Sequence, residues 1–181
     1  MTDGLAETLG IAWDMLEHGA RDPSAPARAV AVASVGADNR AEVRMMVLRR
    51  ASRTAARLEV HADAATSKTA EFAVNARGTV LVWDPGTQMQ IRVRVTAVIR
   101  TGEDAAEAWD RMPESVRARY GGTLPGASLA GPDDGEATAD PDRFAVIGLA
   151  VDEIETLVLG HPHRRAIFRA TDGFAGEWIA P

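Results

Sequence analysis

The stretch Thr79–Arg100, TVLVWDPGTQMQIRVRVTAVIR, decides the fold. Its second half sets Ile91, Val93, Val95 and Ala97 against Arg92, Arg94 and Thr96, the two-residue period of a strand with one core face and one polar face. Thr79–Trp83 is a β-branched and aromatic run, and DPGT between the halves supplies a turn, so the pair predicts an antiparallel hairpin. Upstream, ARAVAVASVG (27–36), the turn ADNR and EVRMMVLRR (42–50) form a second hairpin, and RLEVHAD (57–63) a further strand. Downstream, RFAVIGLAV (143–151), EIETLVLG (153–160), RAIFRA (165–170) and EWIAP (177–181) alternate with turn signals such as HPHRR and TDG. This gives about eight short strands without a repeating strand-helix unit, which favours a mainly β fold with peripheral helices, an antiparallel barrel, over a parallel sheet.

The helices are inserted singly. Leu5, Leu9, Ala12, Trp13 and Leu16 recur at helical spacing between Asp3, a candidate N-cap, and Gly19, a candidate stop. Thr66 opens a short helix, TSKTAEFAV, that closes near Asn75 and puts Lys68 in its first turn. Residues 103–111 and 113–120 are helical with a proline break, and the Gly-, Pro- and Asp-rich run 121–141 is a long loop.

A chain of 181 residues, 46% hydrophobic, supports one domain over residues 1–181. No apolar run spans a membrane and the N-terminus lacks a signal peptide's pattern, so a cytoplasmic protein is expected. Zero cysteines removes thiolate chemistry, and a net charge of −6 argues against nucleic acid as a partner, including through Arg92 and Arg94. There is no GxSxG, Walker loop, HExxH or GxGxxG turn. His161-Pro-His163 lacks a nearby carboxylate and is better read as a polar turn than a metal site.

What remains is a set of cations and one amide at strand and helix ends: Arg44, Arg49, Lys68, Gln90 and Arg165. Lys68 is the only lysine in the chain. Phosphate recognition uses this chemistry, because arginine offers a rigid donor fork, lysine a point charge and a helix start free N–H groups. Taken singly, each fits a solvated surface position better than a site.

Their order and spacing resemble the pyridoxamine 5'-phosphate oxidase-like family of FMN-binding split barrels, from Ala29 to Pro181. Arg44-Met45-Met46-Val47-Leu48-Arg49 is similar to the family's strand motif, which implies that Arg44 binds the FMN phosphate and that Arg49 helps anchor it. His61-Ala62 followed by Thr66-Ser67-Lys68 resembles the segment in which a lysine holds that phosphate, with Ser67 where the family has arginine. Asn75-Ala-Arg77 looks like the family's Asn-Pro-Arg, and Met89-Gln90-Ile91-Arg92-Val93 its glutamine motif, giving Gln90 a flavin contact. Residues 154–168 resemble the segment with a flavin-contacting tryptophan and arginine, placing Leu157 at the former and Arg165 at the latter.

The resemblance implies an FMN-dependent oxidoreductase that works as a homodimer with the cofactor between subunits, and makes His163 the candidate proton donor. The substrate side departs from the pattern. His161-Pro-His163 stands where Arg-x-His is usual, and the residues flanking Pro113 (Ala108 or Trp109, Met112, Ser115 or Val116) lack the substrate-phosphate arginine. Vitamin B6 oxidation is therefore not the default expectation, although Arg111, Arg117 and Arg119 lie close by. The alternatives are a flavin or haem carrier and a deazaflavin-dependent reductase on the same fold.

Overall fold

The computed structural model describes residues 3–181. Helix α1 (Asp3–Arg21) leads into β1 (Ala29–Val35), β2 (Ala41–Ser52) and β3 (Arg57–Asp63). Then come α2 (Ser67–Val74), β4 (Arg77–Asp84), β5 (Met89–Thr101), α3 (Glu103–Asp110) and α4 (Glu114–Arg117). Strands β6 (Phe144–Val158), β7 (Arg164–Arg169) and β8 (Glu177–Ile179) complete the chain. All pairings are antiparallel in the order β3-β2-β1-β4-β5-β6-β7-β8, and β3 also pairs with β6, closing the first six strands into a barrel. A closed barrel leaves those strands no free edge between them.

The two-residue alternation fills the barrel. Val30 and Val32, Met46 and Leu48, Leu58 and Val60, Val80 and Val82, and Ile91, Val93 and Val95 are all buried. Each such side chain contributes about 1.5–3 kcal/mol on transfer from water. The buried face of α1, with Leu5, Leu9, Ala12, Trp13 and Leu16, joins this core. Phe72 of α2 fills another part of it, lying so close to Gly78 that a Cβ there would sit 2.8 Å from the ring.

The two strands expected at 143–151 and 153–160 are one 15-residue strand, β6. The register against β5 shifts between Arg94 and Val95, which pair with Glu153 and Val151 and leave Asp152 as a bulge. That extra residue bends β6, so its first half pairs with β3 in the barrel and its second half with β7 outside it. The split of the barrel originates here. Gly19 does not stop α1, which runs to Arg21. It serves close packing instead, since a Cβ at Gly19 would meet the Ala27 backbone at 2.5 Å. Asp3, expected as the N-cap, is the first residue of α1, and its side chain lies outside what the structure describes.

A second cluster lies on the outer face of β3 and β6, where Ala105, Met112 and Tyr120 pack with Phe144 and Val146. Tyr120 and Trp109 surround the Phe144 ring at centroid distances of 5.0 and 5.4 Å. Residues 121–140 are loop as expected, with their ends tied by N–H groups of Asp140 to Tyr120 and of Thr123 to Glu136. Among the described residues, no helix is long and apolar enough to cross a membrane.

Candidate functional site

The cations and amide singled out in the sequence gather in three places. The first is an end of the barrel. Arg44 sits between exposed Val43 and Met45 on β2, and its parity turns it inward beside Val32, its cross-strand partner on β1. Ser34, two residues further along β1, is a polar residue at an inward position. Arg44 Nη1 donates to Ser34 Oγ at 2.5 Å and Nη2 to Glu71 of α2 at 2.7 Å, while Ser34 Oγ donates to Glu71 at 2.5 Å. The Arg44 and Glu71 side chains are only 19% and 9% exposed.

Lys68 precedes Glu71 by one helical turn and is half-buried. Burial, and then the Arg44 charge, lower the Lys68 ammonium from its ordinary value against the opposing pull of Glu71 and Asp63. Burial resists ionisation of Glu71, but hydrogen bonds from Ser34 and Arg44 outweigh it and keep the carboxyl below its usual range. Arg44 and Lys68 thus share one electrostatic site, although 24 positions separate them in the chain. Ser67 is exposed at the start of α2. The N–H groups of Ser67 and Lys68 fall in the first turn, where a helix offers its own backbone no acceptor.

The second group lies on the outer face. Gln90 of β5 pairs with Trp83 on one side and Leu157 of β6 on the other, Leu157 with Arg165 of β7, and Arg165 with Ile179 of β8. Gln90, Leu157 and Arg165 therefore form one row across the sheet. Arg165 Nη2 donates to Glu155 at 3.0 Å, and Arg92 bonds the same carboxylate from the other side. Burial opposes ionisation of Glu155, but the Arg165 hydrogen bond and the charges of both arginines hold it low. The Nε atoms of Arg92 and Arg165 are buried without partners. His163 is exposed immediately before β7.

The third group is lateral. Arg49 follows Arg44 by five residues, about 16 Å along a strand, and an odd separation turns it to the other face. Arg49 lies beside Arg28, whose guanidinium is lowered first by burial and then by the Arg49 charge. With His61 they line a pocket of about 230 Å³ whose walls include Arg50, Arg111 and apolar Met112 and Val116, and whose one carboxylate is Glu59. Arg28 donates to the carbonyls of Ala20 and Leu48. Arg49 makes no ion pair among the described residues and its Nε is buried without a partner. The His61 ring, 7% exposed, bonds Glu59 through Nε2 at 3.2 Å and leaves Nδ1 unpaired. Arg49 thus lies on the face of β2 opposite to that of Arg44. Ala62, Met46 and Leu48 are core residues, so any ligand contact they make is through the backbone, whereas Met45 and Val47 are exposed.

Sequence reasoning missed Ser34, Glu71, Glu155 and Arg28. Two of these left a signal: Ser34 interrupts the inward series Val30 and Val32, and Glu71 follows Lys68 at the three-residue spacing that faces side chains together on a helix.

The closed six-stranded barrel with its split β6 defines the class of fold. Residues 11–101 match the family described as pyridoxamine 5'-phosphate oxidase, FMN-binding domain, and the chain belongs to that family. That match includes Arg44, Arg49, His61, Ala62, Ser67, Lys68 and Gln90, whereas Leu157 and Arg165 lie beyond it. Among solved structures, the chain resembles a pyridoxamine 5'-phosphate oxidase-related, FMN-binding protein from Nostoc punctiforme (20% identity, 95% of this chain and 96% of that one, TM-score 0.76). It also resembles PhzG from Burkholderia lata, solved with tetrahydrophenazine-1-carboxylic acid (19% identity, 97% and 92%, TM-score 0.77). A Clostridium acetobutylicum protein related to general stress protein 26 is more distant (13% identity, 95% and 98%, TM-score 0.60). At these identities the likeness is one of fold. No curated protein is significantly similar to it in sequence.

The residues present fit a phosphate-bearing flavin. Two cations and a helix start converge at one place, and a separate row offers an amide, an apolar side chain and a guanidinium with an unpartnered Nε.

Proposed function

We propose that this protein is an FMN-dependent oxidoreductase acting as a homodimer. The observation that carries the reading is the convergence of Arg44 and Lys68 at the start of α2, in a chain whose family domain is FMN-binding. Arg44 and Lys68 hold the phosphate by charge-assisted hydrogen bonds, helped by Ser67 and the first-turn N–H groups of α2. Bound FMN supplies two-electron chemistry at its isoalloxazine ring. Gln90, Leu157 and Arg165 contact the ring or its ribityl chain, and His163, two residues before Arg165, is the candidate proton donor.

The distribution of the groups supports the homodimer. Among the described residues, no hydrogen bond or ion pair joins the Arg44 cluster to the Gln90 row. The outer face carries exposed apolar side chains: Val43 (68%), Met45 (64%) and Val47 on β2, and Leu81 and Trp83 on β4. Apposing two copies through this face covers those side chains and brings one copy's row toward the other's phosphate site.

The lateral pocket receives the acidic group of the substrate, because its arginines outnumber its single carboxylate. Ala108, Met112 and Val116 give it an apolar wall at the positions that answer to the resembling family's substrate-phosphate donors. Pyridoxamine 5'-phosphate is accordingly turned over poorly, below the ordinary enzyme range of roughly 1–1000 per second.

The test is the colour and redox behaviour of the purified protein. A yellow dimer with one FMN per chain, reducible by a nicotinamide donor, supports the reading. A monomer, or a preparation that takes up haem or a deazaflavin in place of FMN, refutes it.

A further inference from the structure

We propose that Glu71 is a built-in counter-anion of the cofactor-phosphate site, which neutralises Arg44 before the cofactor arrives and competes with the phosphate for it afterwards. The inference rests on the reading of Arg44 and Lys68 as the phosphate site. It arises from how that site is wired. Both terminal nitrogens of Arg44 are already engaged, Nη1 by Ser34 at 2.5 Å and Nη2 by Glu71 at 2.7 Å. Ser34 closes the triangle by donating to the same Glu71 oxygen at 2.5 Å. Nη1 also donates to the Val32 carbonyl at 3.4 Å, so of the five guanidinium N–H groups only the second on Nη2 and the one on Nε are left for a new anion, and an anion bound at Nη2 shares that nitrogen with Glu71.

The charges lead to the same conclusion. Arg44 and Lys68 bring two positive charges, and Glu71 returns one negative charge from the same helix as Lys68. Asp63, also near Lys68, is taken up by Arg143, which grips both of its oxygens at 2.8 and 2.9 Å. The unneutralised charge is therefore one, against the near-dianion of a phosphate monoester. Glu71 is 9% exposed, so solvent screens it weakly from an anion bound to Arg44. Without Glu71, two half-buried cations face each other in the cofactor-free protein. With it, the site is ordered in advance but binds phosphate less tightly than its two cations allow.

Glu71→Gln keeps the shape and an acceptor for Arg44 and Ser34 while removing the charge. Dissociation constants for FMN and riboflavin, read from flavin fluorescence on the full chain, separate phosphate effects from ring effects. Glu71→Gln is expected to tighten FMN by about tenfold, the order for removing one like charge close to another. Riboflavin affinity should stay unchanged. Glu71→Ala, which needs no new hydrogen bond, should tighten FMN in the same direction. If FMN binds both variants no more tightly than wild type, while Arg44→Ala weakens FMN selectively, the proposal fails and the phosphate site stands. If Arg44→Ala leaves FMN affinity untouched, the phosphate site and the proposal fall together.

Discussion

Two arginines of one strand have opposite surroundings. Arg44 is turned into the barrel end, where Glu71 and Ser34 hold it in a closed triangle and Lys68 adds a second charge. Arg49 faces the lateral pocket, where its neighbours Arg28, Arg50 and Arg111 are also cationic, Glu59 is already shared by His61 and Arg100, and of the three arginines Arg111 has an ion-pair partner in Glu107. The lesson concerns what each region is prepared for. A cation kept by its own carboxylate is positioned before any ligand arrives. Clustered cations with little compensation are held in place by packing and backbone carbonyls, and they gain most when an anion enters.

The two regions also rest on separate packing. The lateral pocket is walled by α3 and α4, which sit on Phe144, whereas the barrel end rests on Phe72. Phe144→Ala should therefore destabilise the protein by about 3–5 kcal/mol, measured by denaturant unfolding. FMN affinity of the folded protein should survive. A variant that binds FMN poorly although folded would show that the regions are not independent.

Acid should weaken both regions. Glu71, Glu155 and Glu59 all have folded carboxyls held below the ordinary value of 4.5. A depressed folded value means that the unfolded chain takes up protons first as pH falls. Their stabilisation is thus fully present above about pH 5 and is lost as pH drops below the ordinary value toward the folded ones. Unfolding free energy measured from pH 7 to pH 3 should fall through that window, and Glu71→Gln should shallow the slope. A slope the same in wild type and Glu71→Gln would contradict the triangle at Arg44.

Much of the fold was legible because alternation states directly which strand face is buried. Ile91, Val93 and Val95 are core residues, and Arg92 and Arg94 face outward to Glu155 and Glu153. What alternation hides is a residue that breaks it. Asp152 looks like a turn between two strands, yet it is a bulge within β6, because turn and bulge residues share the same local preferences. Gly19 misled for a related reason: glycine marks both helix ends and places where two backbones touch, and only the tertiary partner Ala27 distinguishes them. In the site, the pairing of Gln90, Leu157 and Arg165 across three strands depends on that bulge, so the sequence motifs named the residues without placing them in one row. The separation of Arg44 from Arg49 was readable, since an odd spacing on a strand means opposite faces.

Smaller effects sharpen the contrast. Arg49→Ala should leave FMN affinity within about threefold of wild type, below the tenfold that corresponds to about 1.4 kcal/mol. A larger loss in flavin titrations would move Arg49 into the phosphate site and merge the two regions. At the lower limit, Val74→Ser on α2, at a side chain 88% exposed, should change stability by no more than about 0.5 kcal/mol. Thermal unfolding checks that control, and a larger drop would indicate that α2 is covered in solution.

The most direct measurement compares FMN with riboflavin in wild type, Arg44→Ala and Lys68→Ala. Each substitution is expected to weaken FMN by about 1.5–3 kcal/mol, roughly tenfold to a hundredfold, with riboflavin affinity of the folded protein nearly unchanged. Lys68→Ala should leave the apoprotein unfolding temperature nearly unchanged, whereas Arg44→Ala, which strips Glu71 of its partner, should lower it. Equal losses for both flavins, or no loss with either substitution, would contradict a phosphate site at Arg44 and Lys68.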